Sequence, residues 1–448
     1  MGSETAESAR TLSLPPPPGW YRWVVLVVIS LSMFGNYYAY DSVAPVFDLL
    51  KSMVGLADQE LGLLYTAYSI AAIIVLLVGG YIIDRFGTKS SILLFGVICA
   101  IAAAVTASSS SLEIMLVGRF MLGLGAEPLV VAVTTALAKW YKGKELSFAF
   151  GLNLMIARLG SVAADWSPTW ASSSYSNWQD PLWIATAITG TCVVGGVLNL
   201  MLERRAERQY SLAHTASTDK LELKGLYTFG RSYWYVVGLC VVFYSTVFPF
   251  RAFAIKYFIE AHGASRELGG QLNSLLPLAA MVATPLFGLM VDRIGKRSLF
   301  MMAGTVVLLP LFLVVSYAPP GPILELGSMA APATLLVVMA LFGVVFSLIP
   351  AIMWPAVAYI VEERRLGSAY SLMTLCQQVG MAAIPWVIGV LNDGFGAGPD
   401  NPGGYAPGMW VFTALGVLGV VFSFLLWKTE RGPSAHGLET ITTHRREP

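Results

Sequence analysis

Twelve stretches of about 20 apolar residues, each long enough to cross about 30 Å of hydrocarbon, constrain this chain more than any other feature. They fall near 22–46, 60–84, 89–109, 112–139, 146–171 and 181–203, and again near 232–261, 267–291, 297–317, 331–361, 367–391 and 409–428. Hydrocarbon offers backbone N–H and C=O groups no water, so stretches of this length are expected as helices. With 56% hydrophobic and only 12% charged residues, and mean hydropathy +0.66, the composition lies far from that of a soluble domain. The expected fold is an all-α membrane protein of twelve transmembrane helices in two pseudo-symmetric six-helix bundles. A net charge of +1 gives no reason to expect a nucleic-acid partner. Cys99, Cys192, Cys240 and Cys376 sit in apolar segments without metal-ligand spacing and are expected to be packing residues. The first 20 residues are polar and then Pro-rich, so the first apolar stretch is expected to remain as a helix rather than be cleaved.

Basic residues orient the map, because Lys and Arg concentrate in cytoplasmic loops. All but Lys51, Arg119, Arg158, Arg251, Lys256 and Arg266 lie in the two termini, the central linker or the loops that follow even-numbered spans. Both termini are therefore expected in the cytoplasm. The organisation reads as an N-terminal tail (1–21), a six-helix bundle (22–203), a charged linker (204–231), a second bundle (232–428) and a C-terminal tail (429–448).

A repeat ties the halves together. Gly80-Tyr-Ile-Ile-Asp84-Arg85-Phe-Gly87-Thr-Lys89 recurs as Gly288-Leu-Met-Val-Asp292-Arg293-Ile-Gly295-Lys-Arg297, a period of 208 residues. Parallel duplication of a six-helix unit is an architecture in which two halves rock about a midplane site. The repeated pattern resembles the cytoplasmic loop signature of the major facilitator superfamily. Gly80 and Gly288 would allow close helix approach. Asp84, Arg85, Asp292 and Arg293 would latch the cytoplasmic side through basic groups or a helix N-terminus. An ordinary basic turn is the plainer reading.

Charges within the spans point to a site, because an ionisable side chain in a membrane helix costs about 2.5–3.5 kcal/mol on insertion scales. Span 4 carries Arg119 and Glu127, and span 5 carries Asn153 and Arg158. Arg119, near the start of its span, is as readily structural as functional. Glu127 is the natural partner of Arg158. Such a pair either stitches the two helices together or takes a zwitterion, its ammonium on Glu127 and its carboxylate on the Arg158 fork. Span 1 adds Tyr37, Tyr38 and Asp41, although tyrosines also populate interfacial belts. In the second half, Phe250 with Arg251, Asn273, Trp354 and Gln378 mark polar or broken points that would complete a cavity wall, or would simply be kinks and interhelical glue.

Several segments resemble the lysosomal dipeptide uniporter branch of that superfamily. They include Tyr40-Asp41, Gly125-x-Glu127, Lys142-Gly-Lys-Glu-Leu146, Phe150-Gly-Leu152 and Arg158-x-Gly160-Ser161. Phe248-Pro-Phe250, Asn273-Ser274, Pro285-Leu-Phe-Gly288 and Trp354-Pro355 continue the set. The resemblance implies dipeptide transport by alternating access, as a uniporter without a cofactor, with Glu127 and Arg158 taking the peptide termini. A lysosomal relative would add a single-pass accessory subunit; otherwise a monomer in the lipid bilayer is expected. The N-terminus shows no acidic dileucine sorting signal and Arg251 is an added charge, so the expected address is a cell membrane, with the lysosome as the alternative. Two rivals stand beside this reading: a proton-coupled transporter of another solute or drug, and a non-transporting receptor on the same fold. An enzyme is not expected, because His214, His262, His436 and His444 lie in or near loops and tails with no nucleophile or metal set around them.

Overall fold

The computed structural model describes residues 15, 17–76, 79–141, 145–210, 229–327, 329–362 and 365–442, with only the backbone for residues 79–81, 84 and 147. Among these, twelve helices are long and apolar enough to cross a membrane. In chain order they are α1 (Gly19–Asp41), α2 (Asp58–Leu76), α3 (Gly79–Ser108), α4 (Leu112–Tyr141), α5 (Leu146–Asp165) and α6 (Gln179–Gln209). The second half supplies α7 (Arg231–His262), α8 (Arg266–Ile294), α9 (Arg297–Tyr317), α10 (Ala333–Ile360), α11 (Leu366–Gly394) and α12 (Ala406–Thr429). A two-stranded antiparallel hairpin, β1 (Ile323–Leu326) with β2 (Met329–Pro332), joins α9 to α10.

The ends of these helices follow local chemistry. Beyond α1 the chain turns at Ala44–Val46, where Pro45 brings no N–H to continue the ladder. Within α3 the backbone leaves helical geometry at Gly87 (φ 75°), so Gly79–Phe86 corresponds to the expected end of the second span. Gly295, the same position of the second repeat, has φ 72°. Both copies of the loop need a residue without Cβ at this turn. Span 5 ends earlier than expected, at Asp165, and short turns over Ser167–Trp170 and Ser172–Ser176 follow it. The linker was expected from 204, yet α6 stays helical to Gln209, and residues 211–228 lie outside the described residues. The C-terminal segment is packed rather than trailing: Leu438 is buried, and the backbone N–H groups of Lys296 and Arg297 donate to Glu439 and Leu438 at 3.2 and 3.0 Å.

Packing obeys the duplication. In the first half α1 packs on α5 and α6, α3 on α4 and α6, and α2 on α4; the second half repeats this with α7, α11 and α12, with α9, α10 and α12, and with α8 and α10. The halves meet where α2 crosses α11 and α5 crosses α8. Each crossing uses a glycine in the first turns of an even-numbered helix. A Cβ on Gly62 would overlap the carbonyl of Pro385, and one on Gly270 would overlap that of Asp165. These glycines are also 208 residues apart.

Hydrogen bonds and ion pairs between described residues of the two halves lie at mid-membrane or toward the face opposite the signature loops, called here the far face. Lys256 Nζ donates to Asp58 Oδ2 at 2.9 Å and to the Tyr405 hydroxyl at 2.7 Å, and Arg266 pairs with Asp48. Asp393 at the end of α11 accepts from the N–H groups of Asp58 and Gln59 at 2.9 and 2.8 Å, capping α2 from the opposite half. Asp58 and Arg266 are 208 residues apart, and so are Asp48 and Lys256. Two ion pairs of the seal are thus one contact made twice, with its charges exchanged.

Gly62→Val and Gly270→Val are expected to destabilise the protein by roughly 1–3 kcal/mol through overpacking, read as a lower unfolding midpoint in detergent. Gly288→Ala provides the contrast. A Cβ there meets nothing within 4 Å among the described residues, so the midpoint should hold.

Candidate functional site

A cavity of about 220 Å³ lies between the halves at mid-membrane. This is below the roughly 300–1,000 Å³ usual for drug-sized ligands and suits a small solute. Its first-half wall comes from α1 (Asn36, Tyr37, Tyr40, Asp41), α2 (Tyr68), α4 (Glu127) and α5 (Arg158, Ser161). The facing wall comes from α7 (Tyr244, Phe248, Arg251), α10 (Trp354) and α11 (Thr374, Gln377, Gln378, Met381). Aromatic side chains form most of the apolar surface. Tyr244 stacks on Phe248 at 5.4 Å, and Trp354 donates from Nε1 to the Tyr244 hydroxyl at 3.0 Å.

Glu127 and Arg158 both line this cavity, but they are not an ion pair. Glu127 Oε1 accepts from the Tyr68 hydroxyl and from Gln378 Nε2, each at 3.0 Å. The carboxylate is therefore held by two neutral donors, one from each half, and no cation among the described residues lies within ion-pair distance of it. The Arg158 guanidinium lies over the Phe346 ring at 4.7 Å and near Tyr37 at 6.0 Å, and its Nε is buried without a hydrogen-bond partner. A cation resting on aromatic faces keeps its forked donors free for an anion. The two charges stand open on one wall of the chamber.

Of the other expected site residues, Tyr37, Asp41, Arg251, Trp354 and Gln378 also line the cavity. Tyr38, Asn153, Phe250 and Asn273 do not. Tyr38, about 100° further round α1 than Tyr37, packs with Ala164 and Ala185. Asn153 accepts from Ser30 Oγ at 2.9 Å in the α1–α5 contact. Phe250 sits in an aromatic cluster with Phe312, Phe342 and Phe412. Asn273 Nδ2 donates to Asp165 Oδ1 at 2.8 Å in the far-face seal.

The signature-loop residues occupy the basic face. The Asp84 side chain lies outside the described residues, as does everything beyond the backbone at Gly80. Arg85 lies over the Phe86 ring at 5.8 Å, and Arg293 is exposed. Asp292 pairs with Arg297 at 2.7 Å inside its own half. The close helix approach expected at Gly288 is not made among the described residues, none of which comes within 4 Å of a Cβ placed there.

Arg119 has a different office from Arg158. It is 1% exposed and donates to the carbonyls of Ala39, Tyr40 and Leu64 at 3.1, 3.2 and 3.4 Å. Two of these carbonyls end α1, where a cation is favourable. The rings of Tyr40, Tyr65 and Tyr68 surround it at 5.0–5.8 Å. It thereby braces two tyrosines of the cavity wall. Sequence reading missed Tyr68, Tyr244 and Asp165. A polar ring inside an apolar span was the available signal for the tyrosines, and a carboxylate at the end of span 5 was the signal for Asp165.

Comparison with known proteins gives three results of different reach. The sequence family described as Major Facilitator Superfamily matches residues 29–255 and 235–444. The human lysosomal dipeptide transporter MFSD1 is 29% identical over 408 residues, covering 88% of this chain and 85% of its own length. Among solved structures, a bacterial homolog of the human lysosomal transporter Spinster, in an inward-facing and unoccupied conformation, aligns with TM-score 0.72 at 15% identity over 92% of this chain and 98% of its own. The nucleoside transporter NupG aligns with TM-score 0.70 at 15% identity over 91% and 99%. At such identity the structural matches speak for the fold alone.

The two arginines should part company on mutation. Arg119→Leu leaves three carbonyls without their donor and is expected to lower stability by roughly 1.5–3 kcal/mol or more. Arg158→Leu removes a cation with no polar partner and should leave the ligand-free unfolding midpoint unchanged or raised. Thermal unfolding of both variants in the same detergent reads the difference.

Proposed function

The chain belongs to the Major Facilitator Superfamily and is a membrane transporter, and from that premise we propose that its substrate is a dipeptide. The observation that carries this reading is the pair Glu127 and Arg158, which line one small chamber without neutralising each other. A zwitterion satisfies both: its ammonium replaces neutral donors on Glu127, and its carboxylate takes the free fork of Arg158. The surrounding rings of Tyr37, Tyr40, Tyr68, Tyr244, Phe248 and Trp354 offer apolar surface to side chains of varied shape. The 29% identity to a lysosomal dipeptide transporter over most of both chains supports the same substrate class.

The transport step in this reading is an exchange between two arrangements of the halves. The described state is sealed at the far face, and the crossings of α2 on α11 and α5 on α8 are the joints about which the halves would rock. Asp84, Arg85, Asp292 and Arg293, with Gly80 and Gly288, would come into use when the basic face closes in turn. Movement of a zwitterion held by a fixed carboxylate and a fixed guanidinium needs no co-transported ion, so the reading is uniport.

Uptake of labelled alanyl-alanine into proteoliposomes is expected to fall to background in Glu127→Gln and in Arg158→Ala, because removing a charged hydrogen-bonding partner of a desolvated ligand costs about 2–5 kcal/mol. Wild-type uptake in both variants would exclude the assignment. N-acetylated and C-amidated dipeptides should compete poorly, and free amino acids should too, since they cannot span the two charges. An imposed pH gradient should leave the final accumulation unchanged for a uniporter; accumulation driven by the gradient would replace uniport with proton coupling.

A further inference from the structure

We infer that Arg251 couples occupancy of the cavity to the far-face seal, a role that rests on the dipeptide reading of that cavity. Arg251 on α7 lines the cavity and is 3% exposed. Its Nη1 lies 3.3 Å from Asp41 Oδ1 on α1 and its Nη2 lies 3.0 Å from Asp165 Oδ2 on α5. Both aspartates belong to the first half and the arginine to the second, so one guanidinium grips two helices across the boundary. The planar fork makes this possible; a lysine ammonium presents no such fixed pair of donors.

The two arms of the grip are unequal. Asp165 is fully buried and braced by Asn273, also of the second half, at 2.8 Å. Asp41 holds the longer contact and itself lines the cavity. Arg251 Nε is buried without a hydrogen-bond partner, so the fork is not saturated. Among the described residues, Asp41 and Arg251 are the pair that belongs both to the cavity wall and to an ion pair between the halves.

The other ion pairs of the seal, Lys51 with Glu260 at 3.9 Å among them, do not reach the cavity. Lys256 with Asp58 and Arg266 with Asp48 are the two copies of one duplicated contact, and none of these four residues lines the cavity. The position 208 residues before Arg251 is Val43, buried and apolar. Arg251 therefore stands outside the repeated seal, as an addition that reaches into the chamber. A bound zwitterion brings donors into the wall that Asp41 occupies. Drawing Asp41 toward them removes the looser arm of the fork, leaves Asp165 as the sole grip, and weakens the far face only when the cavity is filled.

The test uses the full chain in nanodiscs in a Cys376→Ser background, spin-labelled at Ser176→Cys and Asp400→Cys, two exposed far-face positions on opposite halves. Electron–electron distance distributions are recorded with and without alanyl-alanine, and binding is followed in the same samples by calorimetry. Alanyl-alanine is expected to raise the long-distance population several-fold with Arg251 present. Arg251→Lys, which keeps the charge but loses the fork, should raise the resting population by at least about tenfold, because a buried ion pair is opened, and should abolish the response to peptide. Lys256→Gln should raise the resting population yet keep the response. An Arg251→Lys protein with an unaltered resting distribution, or one that still responds to peptide, overturns the coupling role. Binding without any distance change in the parent protein overturns it too. Absence of binding in the parent overturns the dipeptide reading instead, and the resting distributions still decide whether Arg251 holds the seal.

Discussion

A charge inside the bilayer has to be answered by another polar group, and the different ways this chain answers its charges organise the whole molecule. Arg119 is answered by backbone carbonyls at the end of α1, which makes it part of the scaffold. Lys256, Arg266 and Arg251 are answered by aspartates of the opposite half, which turns charge satisfaction into cohesion between the bundles. Arg158 is answered by aromatic faces alone, and Glu127 by neutral donors. Scaffold, seal and site thus differ less in residue type than in the completeness of the answer each charge receives.

The duplication explains why the architecture is symmetric while the site is not. Up to the α9–α10 connection the halves keep a 208-residue offset, as the glycines at 62 and 270 and at 87 and 295 show. The hairpin of β1 and β2 lengthens that connection. Beyond it, equivalent glycines such as Gly123 and Gly343, which pack α4 on α2 and α10 on α8, are 220 residues apart, as are Gly160 and Gly380. By this second offset Gln378 is the counterpart of Arg158, and Ser347 is the counterpart of Glu127. The first half carries both charges and the second half has neutral groups at the same places. One of those neutral groups, Gln378, reaches over to Glu127, so the copies still meet at the site although only one of them is charged.

The sequence made the twelve spans, the repeat and the two charges of the chamber legible, because each depends on local composition or on short spacing. Partners remote in sequence were hidden. Nothing near Lys256 points to Asp58, which is 198 residues away, and nothing near Glu127 identifies Tyr68 rather than one of the other tyrosines. The expected pairing of Glu127 with Arg158 rested on charge alone, and geometry gave each a different neighbour. The side of α1 that Tyr38 faces was likewise beyond a reading of residue types, since Tyr37 and Tyr38 are adjacent and only the packing of α5 and α6 decides which of them turns inward.

The same reasoning bears on why a transporter would carry a seal of buried ions rather than apolar surface. A buried pair contributes little net stability over a well-packed apolar contact, because desolvation offsets most of its attraction. In the proposed exchange, however, Asp48, Asp58, Arg266 and Lys256 would pass into water and recover their hydration, whereas separated apolar surfaces would pay the full hydrophobic cost. An interface of this kind holds register when closed and opens at modest expense. Gly62 on Pro385 and Gly270 on Asp165 pack the backbones tightly beside these ions, so the register of the closed face is set by close glycine contacts as well as by charge. Glycine contacts and buried ions thus hold the same face together, the first by fit and the second by charge.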